Sequence, residues 1–126
     1  MKAAQITRYS KNIRIALNDI PAPEIGDGEI LIRVKAAAVN PVDILNLTGA
    51  VRLIQDYKMP LTLGNECAGI VEKAGRHVAR FQPGDRVYSR LPVSSLGAFA
   101  EYVAVPELAA ARMPEGLDFV TAAAIP

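Results

Sequence analysis

Short apolar stretches that alternate with polar residues, each cut off after a few positions by glycine or proline, set the limits on what this chain can fold into. The clearest is Ile30, Ile32 and Val34 against Leu31, Arg33 and Lys35. Side chains that recur every second residue point to one face of an extended chain, so this pattern predicts a strand. It opens from the turn residues Gly26-Asp27-Gly28, after Pro21 and Pro23, and runs through small side chains to Val39. It stops at Asn40-Pro41, because the residue before a proline is pushed out of helical geometry and a proline cannot donate to a ladder.

The same reading gives further strands. Lys2 to Ile6 is extended, and Ile13, Ile15 and Leu17 alternate with Arg14, Ala16 and Asn18, which predicts a half-buried strand. Cys67 to Lys73 is an apolar strand closed by Ala74-Gly75, and Pro83-Gly84-Asp85 is a turn that launches Arg86 to Leu91. Ala98 to Val105 completes the set, while Ala50 to Leu63 has no clean period and reads as a surface loop. Pro41 at a first helical position, Asp43 in the first turn and Ile44, Leu45 and Leu47 behind it predict a short helix ending near Gly49. After the turn Pro114-Glu115-Gly116, Asp118 caps a second helix through Val120, Ala122, Ala123 and Ala124. Six or so short strands with one or two short helices describe a mainly β fold, a partly open barrel or sandwich.

Composition removes several function classes. With 51% hydrophobic and 21% charged residues over 126 positions, the chain is an ordinary globular domain, neither disordered nor fibrous. Its formal net charge is +1, with Arg and Lys scattered, so no nucleic-acid footprint is expected. No run approaches a membrane span, and a single cysteine, Cys67, with no signal-type opening segment points to a reducing, cytoplasmic setting. An apolar, helix-forming run that breaks off at Ile125-Pro126 suggests that the chain stops at a domain boundary.

Glycines 64, 69, 75 and 84 fit neither a phosphate loop nor a dinucleotide fingerprint, since Ile70 and Val71 follow Gly69; they read as turn and close-packing residues. His77 lies between Arg76 and Arg80 in a polar stretch and reads as a surface residue. One Cys and one His do not make a metal site that needs four ligands, so no metal is expected. Small polar residues stand at strand ends: Asn40 and Asp43 after the best strand, Asn65 and Glu66 before the Cys67 strand. Such groups can hold a substrate carbonyl or a cofactor amide, and they also cap helices and turns for structural reasons alone.

Three stretches carry a resemblance: Val39-Asn40-Pro41-Val42-Asp43, Leu63-Gly64-Asn65-Glu66-Cys67-Ala68-Gly69, and Pro83-Gly84-Asp85-Arg86-Val87. With Gly97-Ala98-Phe99-Ala100-Glu101-Tyr102 and Pro114-Glu115-Gly116-Leu117, they resemble the N-terminal half of the medium-chain dehydrogenase/reductase superfamily. That resemblance implies a GroES-like, partly open β-barrel over residues 1–126, followed in the intact family by a Rossmann cofactor domain expected after residue 126. Zinc alcohol dehydrogenases of the family place a cysteine where Asn40 stands and a histidine where Asn65 stands, and the cysteine-rich structural-zinc lobe is missing between Val87 and Gly97. The chain therefore looks like the zinc-independent quinone-reductase branch, although Leu47 stands where that branch often carries an arginine.

The resemblance implies hydride transfer from NADPH, bound mainly by the second domain, to a quinone or an activated double bond. Asn40, Asn65 and Glu66 would line the cleft as hydrogen-bonding groups, and Asn40, Pro41 and Asp43 would lie against the cofactor. The expected partner is a small carbonyl or quinone substrate, with no nucleic acid and no membrane, and the family leaves room for a homodimer. The fragment alone is expected to be inactive, and removal of a partner domain is expected to expose an apolar surface from Ala122 to Ile125. Two rival readings are a stand-alone GroES-like binding or assembly module and the corresponding domain of a zinc-type alcohol dehydrogenase.

Overall fold

The computed structural model describes residues 1–126 in the order β1 (Lys2–Ile6), β2 (Ala16–Asp19), β3 (Glu29–Ala38), α1 (Pro41–Thr48), β4 (Leu61–Thr62), β5 (Glu66–Ala74), β6 (Arg86–Arg90) and β7 (Tyr102–Pro106). A 3-10 turn at Glu107–Ala109, β8 (Ala110–Arg112) and α2 (Phe119–Ala123) follow. All strand pairs are antiparallel. One sheet has the order β7-β3-β5-β6-β8 and the other β2-β1-β4, and an isolated bridge between Ala3 and Ala100 joins them. The two sheets do not close into one barrel, so the mainly β, partly open architecture read from the sequence holds.

β3 is central because its alternation is apolar where the core needs it. Ile30 and Ile32 are fully buried and pack with Cys67 and Val71 of β5, Val87 of β6 and Val103 and Val105 of β7. Burying each such aliphatic side chain is worth about 1.5–3 kcal/mol, which makes this cluster the main source of stability. A smaller core of Ile6, Leu47, Leu61 and Leu63 fastens α1 to the second sheet.

Four expectations need correction. Ile13, Ile15 and Leu17 are exposed, and β2 begins only at Ala16; its edge has no second layer to bury that face. The Ala50–Leu63 segment is surface only in part, since Leu53 and Ile54 are exposed while Leu61 and Leu63 are buried and β4 pairs with β1. β7 starts at Tyr102 rather than Ala98, because Ala98 gives its N–H to Gly64 O at 3.0 Å instead of to a ladder. Ala122 and Ala123 are covered by Ala68 and Met113, so the exposed apolar surface at this end is carried by Val120, Ala124 and Ile125.

The other marks agree with the sequence. His77 is exposed on the turn after β5, the Gln82–Asp85 turn closes through Asp85 N–H to Gln82 O at 3.1 Å, and the Asp118 carboxylate caps α2 by accepting Thr121 N–H at 2.7 Å. No helix is long and apolar enough to cross a membrane.

Candidate functional site

The site is built where β3 and β5 end side by side. Their register pairs Ala38 with Glu66, so the chain that leaves β3 carries Asn40 toward the start of β5. There the Asn40 amide donates from Nδ2 to Glu66 Oε2 at 2.6 Å. Charge-assisted hydrogen bonds of this kind are short and among the stronger ones a protein makes. Glu66 is 7% exposed, so the amide supplies a donor that water cannot easily replace.

Asn40 is also the N-cap of α1, in extended geometry, with Pro41 at the first helical position as the sequence implied. The Asp43 carboxylate reaches back and accepts the Asn40 N–H at 2.7 Å, half of a capping box, which fixes the backbone that presents the amide. Asp43 is 2% exposed, and its other oxygen, Oδ1, has no hydrogen-bond partner. Burial raises its pKa above the usual carboxylate value, the Asn40 N–H opposes the shift, and the neighbouring Glu66 charge adds to it. Within the chain, the contact Asp43 makes at this place is with the Asn40 backbone N–H.

Asn65 faces elsewhere. Extended residues alternate in direction, so the side chain before Glu66 points away from Asn40. Asn65 lines a cavity of about 200 Å³ with Val42, Asn46, Ile54, Tyr57 and Val93. Its Oδ1 is buried and lacks a donor, while its backbone carbonyl accepts Leu91 N–H at 2.7 Å. Gly64, just before it, has φ +89°, and a Cβ there would meet the Phe99 ring at 2.4 Å, so only glycine lets the segment bend into place.

α1 divides its faces accordingly. Val42 and Asn46, one turn apart, look into the cavity, whereas Asp43 and Leu47 turn inward. Ile44 and Leu45, on the opposite side of the helix, are 46% and 43% exposed. Asn46, 3% exposed, is a residue that sequence reasoning missed; only the four-residue spacing from Val42 marks it. Asn40, Asp43 and Glu66 are brought together as one cluster, Asn65 lies against the adjoining cavity, and Pro41 is exposed at the helix start.

Zinc would find poor donors at this place. The Asp43 and Glu66 carboxylates each accept a hydrogen bond from Asn40, Asn40 and Asn65 offer only amides, and Cys67 is turned into the core, where burial pushes its thiol up to about 12. His77 lies beyond the far end of the nine-residue β5, roughly 25 Å from Glu66 at about 3.3 Å per residue.

Residues 26–115 match the family of the alcohol dehydrogenase GroES-like domain. The chain belongs to that family. This GroES-like domain is 35% identical to the 2-methylene-furan-3-one reductase of Solanum lycopersicum over 133 residues, covering all of this chain and 34% of that protein. It is 37% identical to the NADPH-dependent alkenal/one oxidoreductase, chloroplastic, of Arabidopsis thaliana, covering 86% of this chain and 30% of that one. A solved structure of the quinone oxidoreductase from Coxiella burnetii superposes with a TM-score of 0.90 at 30% identity, over 100% of this chain and 41% of that chain. The GroES-like domain thus spans about a third of the length of the curated relatives it matches, and it corresponds to one part of the medium-chain dehydrogenase/reductase superfamily.

Proposed function

We propose that this chain is the substrate-side part of an NADPH-dependent, zinc-independent reductase that acts on a quinone or on the activated double bond of an α,β-unsaturated carbonyl compound. The observation that carries the reading is the half-buried Asn40 amide bonded to the buried Glu66 carboxylate beside a mainly apolar cavity. The two share chain segments, since Val42 and Asn65 line the cavity and Asn40 and Glu66 adjoin them. The names of the relatives, reductases of furanones, alkenals and quinones, support the same class.

The residues fit an amide-bearing nicotinamide. Asn65 keeps a buried acceptor without a donor, the kind of group a carboxamide N–H satisfies. In this reading Asn40 touches the ring, Pro41 forms its exposed apolar edge, and Asp43 positions Asn40. Bound NADPH would supply the hydride; the protein's share is orientation and exclusion of water. The nucleotide would be held mainly by a Rossmann unit beyond residue 126, in keeping with relatives about three times as long. We keep a cytoplasmic setting as part of the reading, supported by the single, buried Cys67.

The test uses the full-length gene product with NADPH and a panel of quinones and enones. Asn40→Ala is expected to lower kcat/KM at least about tenfold while circular dichroism shows a folded protein. Stoichiometric zinc by elemental analysis, or no NADPH oxidation with any member of the panel, would overturn the reading.

A further inference from the structure

Three neighbouring cavities share lining residues, the first of them bordered by α1. The 200 Å³ cavity at Asn65 is bordered by Tyr57, and Tyr57 also borders a second cavity of about 340 Å³ whose wall includes Arg8, Tyr9, Arg52 and Asp56. That second cavity shares Thr7 and Arg8 with a third, of about 240 Å³. The third is lined only by Thr7, Arg8, Ser10, Asn12 and Arg14, with no apolar side chain among them. The lining thus changes from mainly apolar at one end to two guanidinium groups, two hydroxyls and an amide at the other.

The charge at the far end is not neutralised within the chain. Arg33, Arg52, Arg76 and Arg112 each have a carboxylate within 4.0 Å; Arg8 and Arg14, like Arg80, Arg86 and Arg90, have none, and Arg8 and Arg14 line one cavity together. Asp56, the carboxylate of the middle cavity, is taken up by Arg52 at 3.3 Å and by the Tyr9 hydroxyl at 3.1 Å. The loop is also held in shape. Ser10 N–H bonds to Leu47 O at 3.1 Å, Asn12 N–H to Ser10 Oγ at 3.0 Å, and the Tyr9 hydroxyl accepts Tyr57 N–H at 2.7 Å. Two Arg forks with hydroxyl donors are the chemistry that recognises phosphate, and a loop already ordered loses less entropy on binding it.

We propose that the Thr7–Arg14 loop is a phosphate-binding site for the anionic end of an elongated substrate whose reducible end lies in the apolar cavity beside Asn65. The phosphate site stands on its own geometry; its assignment to a substrate rests on the reductase reading above. Arg8 and Arg14 are exposed, so free inorganic phosphate binds weakly, in the range of about 1–10 mM, and less well as salt rises.

Two measurements test this. Titrating this chain with inorganic phosphate to about 50 mM while following amide NMR shifts should move Ser10 to Arg14 saturably, and Arg8→Gln with Arg14→Gln should abolish the movement. In the full-length protein, an enone with a terminal phosphate should be favoured about tenfold in kcat/KM over its neutral alcohol counterpart, through KM, and the double variant should bring that ratio to about one. No saturable shift overturns the site itself. Saturable binding of phosphate with equal use of the two enones shows a site for free phosphate and overturns the substrate assignment. Reduction of neither enone fails the reductase reading, and the titration then decides the phosphate site alone.

Discussion

Replacing Asn40 by Asp turns the amide that faces Glu66 into a second carboxyl across the 2.6 Å contact. Glu66 is 7% exposed, so solvent does little to separate the charges. Two carboxylates at that range do not both ionise, and the pair keeps one proton with a raised apparent pKa. For a carboxyl of ordinary acidity, about 4.3, holding that proton costs about 3.7 kcal/mol at pH 7 and about 1 kcal/mol at pH 5. A folded-state pKa above the unfolded one means that stability is kept at low pH and lost as pH rises through the folded value. Urea denaturation of this chain should therefore show Asn40→Asp recovering about 2–3 kcal/mol relative to the unmutated protein between pH 7 and pH 5. Adding Glu66→Gln restores one amide facing one carboxylate, and it should return most of the stability at pH 7 and flatten the profile. A double variant no more stable than Asn40→Asp alone would refute the pairing.

Burial pushes the Cys67 thiol up to about 12, so the native chain should resist aromatic disulfide reagents near pH 8 and react only as urea unfolds it; fast labelling of the folded form would contradict its place in the core. Because that pKa is raised, the thiol's share of stability also falls as pH climbs from about 9 toward 12. A methyl at Gly75→Ala would stand 2.3 Å from Gly26 O and 2.4 Å from Asp27 O. Both obstacles are backbone, so the cost should reach about 3 kcal/mol in a thermal or urea melt, and a loss under about 0.5 kcal/mol would show that the turn yields freely.

What the sequence made legible was whatever local physics dictates. β3 could be read because its alternation and both of its terminators lie within one short window, and the Gly64, Gly75 and Gly84 turns because few other residues serve there. β2 and β4 were misjudged for opposite reasons. The Ile13-Ile15-Leu17 alternation is real but faces no second layer, whereas Leu61 and Leu63 are too few for a period and are buried only because β1 and α1 arrive beside them. At the site, Asn40, Asp43 and Glu66 could be named as small polar residues at strand ends, but not the hydrogen bond from Asn40 to Glu66, which joins positions 26 residues apart. Asn46 stayed hidden in an apolar helical run, since which helix face turns to the cavity is decided by packing against Ile6, Leu61 and Leu63.

The register of the β3–β5 pair shows why the cluster forms where it does. Pairing is interrupted between Leu31 and Ile32, where β5 has Glu72 to spare, and again between Val34 and Ala36, where β3 has Lys35 to spare. A single bulge would shift every later pair by one residue and turn the following side chains to the other face. Two bulges on opposite strands cancel, so Ile30 opposite Ala74 and Ala38 opposite Glu66 belong to the same alignment. The strands take up extra twist in the middle and still deliver Asn40 to Glu66 at the end. Lys35 and Glu72 are exposed and make no core contact, yet the placement of the amide that faces Glu66 depends on both being present.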